Sequence, residues 1–215
     1  RGRVARARAG RRRASPSRRS LIRTVQGTFA NARAHTGTSS LDTRRVVPMS
    51  RVLVTGMSGT GKSSALAELG RRGYRVVDTG DPGWREYREY VESSDELHRG
   101  EWLWVEERIT GLLDSDDGRS LFVEGCVRNQ SKFNDRFNAV VLLSAPADVI
   151  LDRVARRTTN NYGKTPLERA MILDDLARVE PLLREGCTHE LDASRPLADI
   201  VADLTAIASR PMTTS

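Results

Sequence analysis

The chain has 215 residues, 38% of them apolar, with 35 Lys and Arg against 28 Asp and Glu and two cysteines. Two cysteines are too few for a disulfide framework and fit a reducing cytoplasm, and no apolar run reaches the roughly eighteen residues of a membrane-spanning helix. The basic balance is local: residues 1–48 hold thirteen of the basic residues and one acid, Asp42, a net charge of +12, so the other 167 residues carry −5 and a nucleic-acid-binding role would rest on that tail alone.

Residues 1–48 are rich in Arg, Ala, Ser and Gly and lack hydrophobic periodicity, which predicts a disordered basic tail. A nucleic-acid arm, a transit segment and a membrane-surface patch are its candidate roles. Met49-Ser50-Arg51 stands directly before the first strand, so the tail is expected to be dispensable upstream sequence and residues 49–215 to form the working domain.

Arg51–Thr55 is an apolar strand, and Gly56-Met57-Ser58-Gly59-Thr60-Gly61-Lys62-Ser63 fits G-x-x-x-x-G-K-[ST]. Such a loop curls so that successive backbone N–H groups point into one concavity, and the following helix presents its positive dipole end to the same anion. Lys62 is expected to reach the β- and γ-phosphates of ATP, Ser63 to ligate Mg²⁺, and Ser64 to adjoin the phosphates. Gly59 and Gly61 are expected where a Cβ would block the backbone from the triphosphate.

Ala65, Leu66 and Leu69 recur at helical spacing over Lys62–Arg72, with Gly73 as the stop. Tyr74–Asp78 is a short strand that delivers Asp78, Thr79, Gly80 and Asp81 to its carboxyl end, where open α/β sheets bind ligands. After the turn Asp81-Pro82-Gly83, the interleaved Trp84, Arg85, Tyr87, Arg88 and Tyr90 suit either an acceptor site or an amphipathic helix. Trp102, Val105, Ile109 and Leu112 or Leu113 mark a helix. Leu121–Gly125 is a buried strand with Glu124 at its tip, the Walker B position for a metal-holding carboxylate, and Arg128 follows four residues later.

A polar helix over Gln130–Arg136 and a strand over Ala139–Leu143 come next. Pro146 opens a helix with Arg153, Arg156 and Arg157 on one side, and Thr158–Lys164, polar and without periodicity, reads as a short lid. One long helix from Pro166 through Leu183, a strand over Thr188–Asp192 and a helix over Pro196–Ala208 complete the chain. Five strands alternating with helices imply a parallel sheet covered on both faces. None of the three histidines pairs with a nucleophile or forms a zinc-ligand spacing.

From Met49 to Ala208 the chain resembles the nucleoside monophosphate kinase group of P-loop enzymes, which includes adenylate and shikimate kinases. Besides the P-loop, Thr79-Gly80-Asp81 looks like the acceptor-site T-G-D of adenylate kinases, and Glu124-Gly125-Cys126-Val127-Arg128 is similar to their D-G-F-P-R. Asp152-Arg153-Val154-Ala155-Arg156-Arg157 resembles their D-R-x-x-x-R at the entry to the lid. Glu124 replaces the usual aspartate, and Arg85 falls one position later than the arginine that normally follows T-G-D. Asp78 sits where shikimate kinases place an aspartate that binds acceptor hydroxyls.

The resemblance implies a three-layer αβα P-loop NTPase fold with a five-stranded parallel sheet in the order 2-3-1-4-5. It also implies Arg153 on the adenine and Arg157 on the transferring phosphates. The expected activity is that of an ATP- and Mg²⁺-dependent small-molecule kinase. Lys62, Arg157, Asp78 and Glu124 would carry the chemistry, and Asp78, Asp81, Arg85 and Arg128 the acceptor. A nucleoside monophosphate is slightly favoured over a shikimate-like hydroxyl as that acceptor. The rivals are a nucleotide-binding switch or ATPase without a small acceptor, and a nucleic-acid-binding protein that uses the tail.

Overall fold

In the computed structural model, the described residues are 49–90 and 99–210. They build a parallel sheet from β1 (Arg51–Thr55), β2 (Arg75–Asp78), β5 (Leu121–Glu124), β6 (Ala139–Ser144) and β7 (His189–Asp192), in the order β2-β5-β1-β6-β7. Counting only these five, the order is second-third-first-fourth-fifth, the one that the resemblance implies. A separate antiparallel pair, β3 (Arg85–Glu89) with β4 (Gly100–Trp104), stands beside it.

Alternation along the central strands makes the two cores. Val52, Val54, Phe122, Val141 and Leu143 pack against α1 (Lys62–Arg71) and α6 (Leu197–Ala208) through Ala65, Leu66, Leu69, Ile200, Val201 and Leu204. Leu53, Leu121, Val123 and Val140 face the other way, onto α2 (Glu106–Asp114) and a 3₁₀ helix over Gln130–Arg136, through Ile109, Leu112, Leu113 and Phe133. Farther along that face, Leu142 meets Met57 and Leu183 of α5 (Glu180–Gly186). Strands buried on both faces read as continuous apolar runs, which is why β1, β5 and β6 stand out in the sequence.

Three expectations are corrected. Arg85–Glu89 is a strand and not a helix, and Trp102 belongs to its partner strand, so the following helix begins only at Glu106. The expected helix from Pro166 through Leu183 is two, α4 (Pro166–Arg178) and α5, divided at Val179. Pro181 lacks the N–H that would continue the helical bonding and its ring would press on the carbonyl four residues back, so the axis breaks there. Residues 1–48 and His98 lie outside the described residues, so the tail expectation stands as made. No helix among the described residues is long and apolar enough to cross a membrane.

Candidate nucleotide site at the P-loop

The P-loop joins β1 to α1 at the carboxyl edge of the sheet. Its shape depends on three glycines with positive φ, Gly56 (142°), Gly59 (95°) and Gly61 (94°), of which Gly61 caps α1 in the left-handed region. Each also has a reason within the protein itself. A Cβ on Gly56 would strike the Leu143 carbonyl oxygen, and one on Gly59 would come within 2.8 Å of Val154 Cγ2 and 3.1 Å of the Ile150 carbonyl. Gly59 therefore lets the loop press against α3 (Ala147–Arg156). At Gly61 a Cβ would meet no other part of the protein within 4 Å, and its left-handed backbone conformation favours glycine there.

Met57 is buried among Leu142, Leu183 and Cys126 and anchors the loop, while the Thr60 hydroxyl donates to the Met57 carbonyl at 2.9 Å. The first turn of α1 carries no acid and no side-chain cap, and Ser64 is exposed beside it. Lys62 Nζ donates to the same Met57 carbonyl at 3.2 Å and lies 3.7 Å from Glu124 Oε1. The Ser63 hydroxyl donates to Glu124 Oε1 at 3.3 Å.

Glu124 is set by strand register. It pairs with Val54 on one side and with Asp78 on the other, so two carboxylates stand at neighbouring strand tips. Burial pushes the Glu124 carboxyl above the usual carboxylate range; Lys62 and Ser63 pull it back and the Asp78 carboxylate adds to the rise. Its Oε2 is buried without a hydrogen-bond partner. A buried oxygen left unmatched next to the P-loop hydroxyl fits a divalent cation: Mg²⁺ takes one or two protein oxygens and completes its shell with water and phosphate.

Arg157 follows α3 in an extended conformation and turns back to the loop. Its Nη2 donates to Ser58 Oγ at 3.1 Å and to the Tyr162 carbonyl at 2.8 Å, and its buried Nε has no partner. Burial lowers the pKa of this guanidinium. Arg153, one turn earlier, is half-buried; the Asp192 carboxyl, held below the usual range chiefly by hydrogen bonds from Ser194, also feels its charge. Arg156 points outward and pairs with Asp152 at 2.8 Å. The expected lid is short and bonded at both ends. Lys164 Nζ donates to the Val154, Ala155 and Arg157 carbonyls, and the Gly163 N–H donates to Glu168 of α4.

The acceptor candidates divide. Asp78 Oδ1 accepts the Gly80 N–H at 2.7 Å, and both it and Arg85 Nη2 lie within 4.0 Å of the point where a Cβ on Gly80 would stand. Arg85 lies over the Trp102 ring, 4.4 Å from its centroid, and Tyr87 adjoins the same ring. Asp81 is exposed on the turn. Arg128 is not brought to this group. It is 68% exposed and lies 3.8 Å from Glu101, whose side chain leaves β4 on the opposite face from Trp102.

The sequence reading missed the residues that hold the hairpin to the site. Trp104 is buried, its indole N–H donates to Thr79 Oγ1 at 2.8 Å, and that hydroxyl donates to the Glu124 carbonyl at 2.7 Å. The short, aromatic-rich apolar run Trp102–Val105 is a signal that would have marked the strand.

No curated protein matches the chain. Among solved structures, shikimate kinase from Acinetobacter baumannii in complex with shikimate is 16% identical with a TM-score of 0.48, over 75% of this chain and 93% of that one. A gluconokinase from Sinorhizobium meliloti 1021 is 21% identical with a TM-score of 0.46, over 75% and 92%. A sugar kinase from Janibacter sp. HTCC2649 is 20% identical with a TM-score of 0.45, over 74% and 94%. The sequence profile of the AAA domain family matches residues 52–174, a stretch that runs from β1 through the P-loop, Glu124 and Arg157 into α4 and makes up more than half of the chain. The chain belongs to the AAA domain family.

Proposed function

We propose that the domain is an ATP- and Mg²⁺-dependent phosphotransferase that acts on a hydroxyl of a small acceptor. The observation that carries this reading is the carboxylate pair: Glu124 touches Ser63 and Lys62 of the P-loop, and Asp78 stands beside it at the tip of the next strand. The backbone of Gly56–Ser63 with Ser64 would hold the phosphates, Ser63 and Glu124 the metal, and Arg153 the base. Bound Mg·ATP supplies the transferable phosphoryl group and the metal's positive charge.

The chain's own residues position and neutralise. Lys62 and Arg157 place positive charge where it accumulates on the transferring oxygens, the largest need of phosphoryl transfer. The Asp78 carboxylate would accept the acceptor hydroxyl's hydrogen bond and then its proton. Arg85 and Asp81 flank that position and suit a polar acceptor. A cytoplasmic location goes with this proposal, since Cys126 and Cys187 are both free thiols.

One observation favours a second reading, a phosphate-bearing acceptor such as a nucleoside monophosphate. Arg88, Arg128 and Lys132 line one open groove of about 760 Å³. Each is matched by a glutamate, Glu86, Glu101 and Glu106 respectively, which is why the hydroxyl reading is preferred.

The test is a panel of nucleoside monophosphates, shikimate, gluconate and other polyols screened for acceptor-dependent ADP release, with Lys62→Ala expected to abolish turnover. For the best acceptor, Asp78→Asn should lower kcat by about 10²-fold or more while Arg128→Ala changes kcat/KM by less than about fivefold. The reverse ranking would establish the phosphate-bearing acceptor. ADP release that no acceptor stimulates would leave an ATPase.

A further inference from the structure

Thr158–Lys164 carries no hydrophobic periodicity and by composition is a loop free to sample many conformations. The structure ties it down at its far end, where Lys164 makes the largest set of bonds. Lys164 Nζ donates to the Val154 carbonyl at 2.8 Å, the Ala155 carbonyl at 2.8 Å and the Arg157 carbonyl at 2.7 Å. Carbonyls in the last turn of a helix lack intrahelical donors and form the negative end of its dipole, so one ammonium with three donors satisfies two carbonyls at the end of α3 and the Arg157 carbonyl just beyond it.

Lys164 is itself held from the far side. Arg169 of α4 donates to the Gly163 carbonyl at 3.2 Å and the Lys164 carbonyl at 3.2 Å, and Glu168 accepts the Gly163 N–H at 3.1 Å while closing a capping box with Thr165. Gly163, with φ of 88°, lies against Val154 of α3 and Ile172 of α4 so closely that a Cβ would collide with both. A connected path therefore runs from the first turn of α4 through Lys164 to the end of α3. It continues through Arg157, whose carbonyl Lys164 grips, to Ser58 of the P-loop.

We propose that Lys164 is a positioning residue that fixes Arg157 against the P-loop by binding two carbonyls of the last turn of α3, those of Val154 and Ala155, together with that of Arg157 itself, so that the guanidinium is set for the γ-phosphate before nucleotide arrives. This rests on the phosphotransferase reading in one respect, that Arg157 meets the γ-phosphate. Without the ammonium, the loop gains conformational freedom and the guanidinium must be ordered at each binding event. The segment is then a latched strap in place of a free lid.

The experiment measures the affinities of the full chain for ATP·Mg and ADP·Mg by calorimetry, because only ATP presents a γ-phosphate to Arg157. Arg157→Ala is expected to cut the preference for ATP over ADP by about tenfold. Lys164→Met keeps the aliphatic stem and should cut it by about fivefold, leave ADP affinity within about twofold, and be partly rescued by Lys164→Arg. Because Lys164 acts through Arg157, the double variant should be no worse than Arg157→Ala alone.

Lys164→Met with the unaltered ATP preference, or losses that add in the double variant, would overturn the proposal. So would an equal fall in ATP and ADP affinity, which marks general destabilisation. If Arg157→Ala itself has no effect, both the role of Arg157 and the latch fall, while Lys62→Ala in the turnover assay still decides separately whether the domain transfers phosphoryl groups.

Discussion

At the scale of single residues, Glu124 holds the most consequential conflict in the molecule. It is buried beside a second carboxylate, one of its oxygens has no partner, and its folded pKa is raised by that burial. The folded state therefore binds the Glu124 proton more tightly than the unfolded state does. This contribution to stability is fully present below the ordinary carboxylate pKa, about 4.3, and is lost as pH rises through the folded value. Thermal melts across that range should show a fall in wild-type stability that Glu124→Gln lacks. A metal needs the ionised carboxylate, so Mg²⁺-dependent nucleotide affinity should rise over the same window in the wild type and stay flat in the variant. Parallel pH profiles for the two proteins would mean that Glu124 is already ionised or does not hold the metal.

At the scale of elements, the β3–β4 hairpin is held by backbone bonds of Trp102 and Trp104 to Arg128 and Asn129 and by the Trp104 side chain, which reaches the tips of the sheet. Trp104 fills the space above Gly125, where a Cβ would come within 2.6 Å of both Thr79 Oγ1 and the Trp104 ring. Gly125→Ala is expected to displace the indole, break its bond to Thr79 and destabilise the domain by about 1–3 kcal/mol. Urea unfolding followed by tryptophan fluorescence measures this. Because Thr79 also holds the Glu124 carbonyl, Mg·ATP affinity should fall with it. An alanine accommodated without loss of either would show that the hairpin is held elsewhere. Composition did not reveal this element, since Arg85–Glu89 is charged and aromatic without an apolar face of its own and forms a strand only because Gly100–Trp104 pairs with it.

At the scale of the whole molecule, the described fold begins at Ser50, whose buried hydroxyl donates to the Ala208 carbonyl at 2.7 Å and whose N–H donates to Ser120 at 3.2 Å. A chain starting at Met49 keeps these bonds, and we expect it to melt within about 2 °C of the full chain and to bind ATP equally well. A much lower melting temperature would show that residues 1–48 contribute to the fold. The sequence by itself determined the five strands, the parallel sheet covered on both faces and the P-loop with Glu124 at a strand tip, while the strand order came from the family resemblance. Apolar runs buried on both faces, a glycine-rich loop and an acid at a strand tip are local patterns with a single physical use. Only the tertiary structure decided which of the candidate acceptor side chains come together. Arg85 and Arg128 look equivalent in the sequence, yet the pleat of the hairpin places Arg85 over Trp102 near Asp78 and leaves Arg128 with Glu101 on the other face. Lys164 was equally illegible, because a lysine in a polar loop acquires a role only when the chain folds back to bring the open carbonyls of α3 within reach of its ammonium.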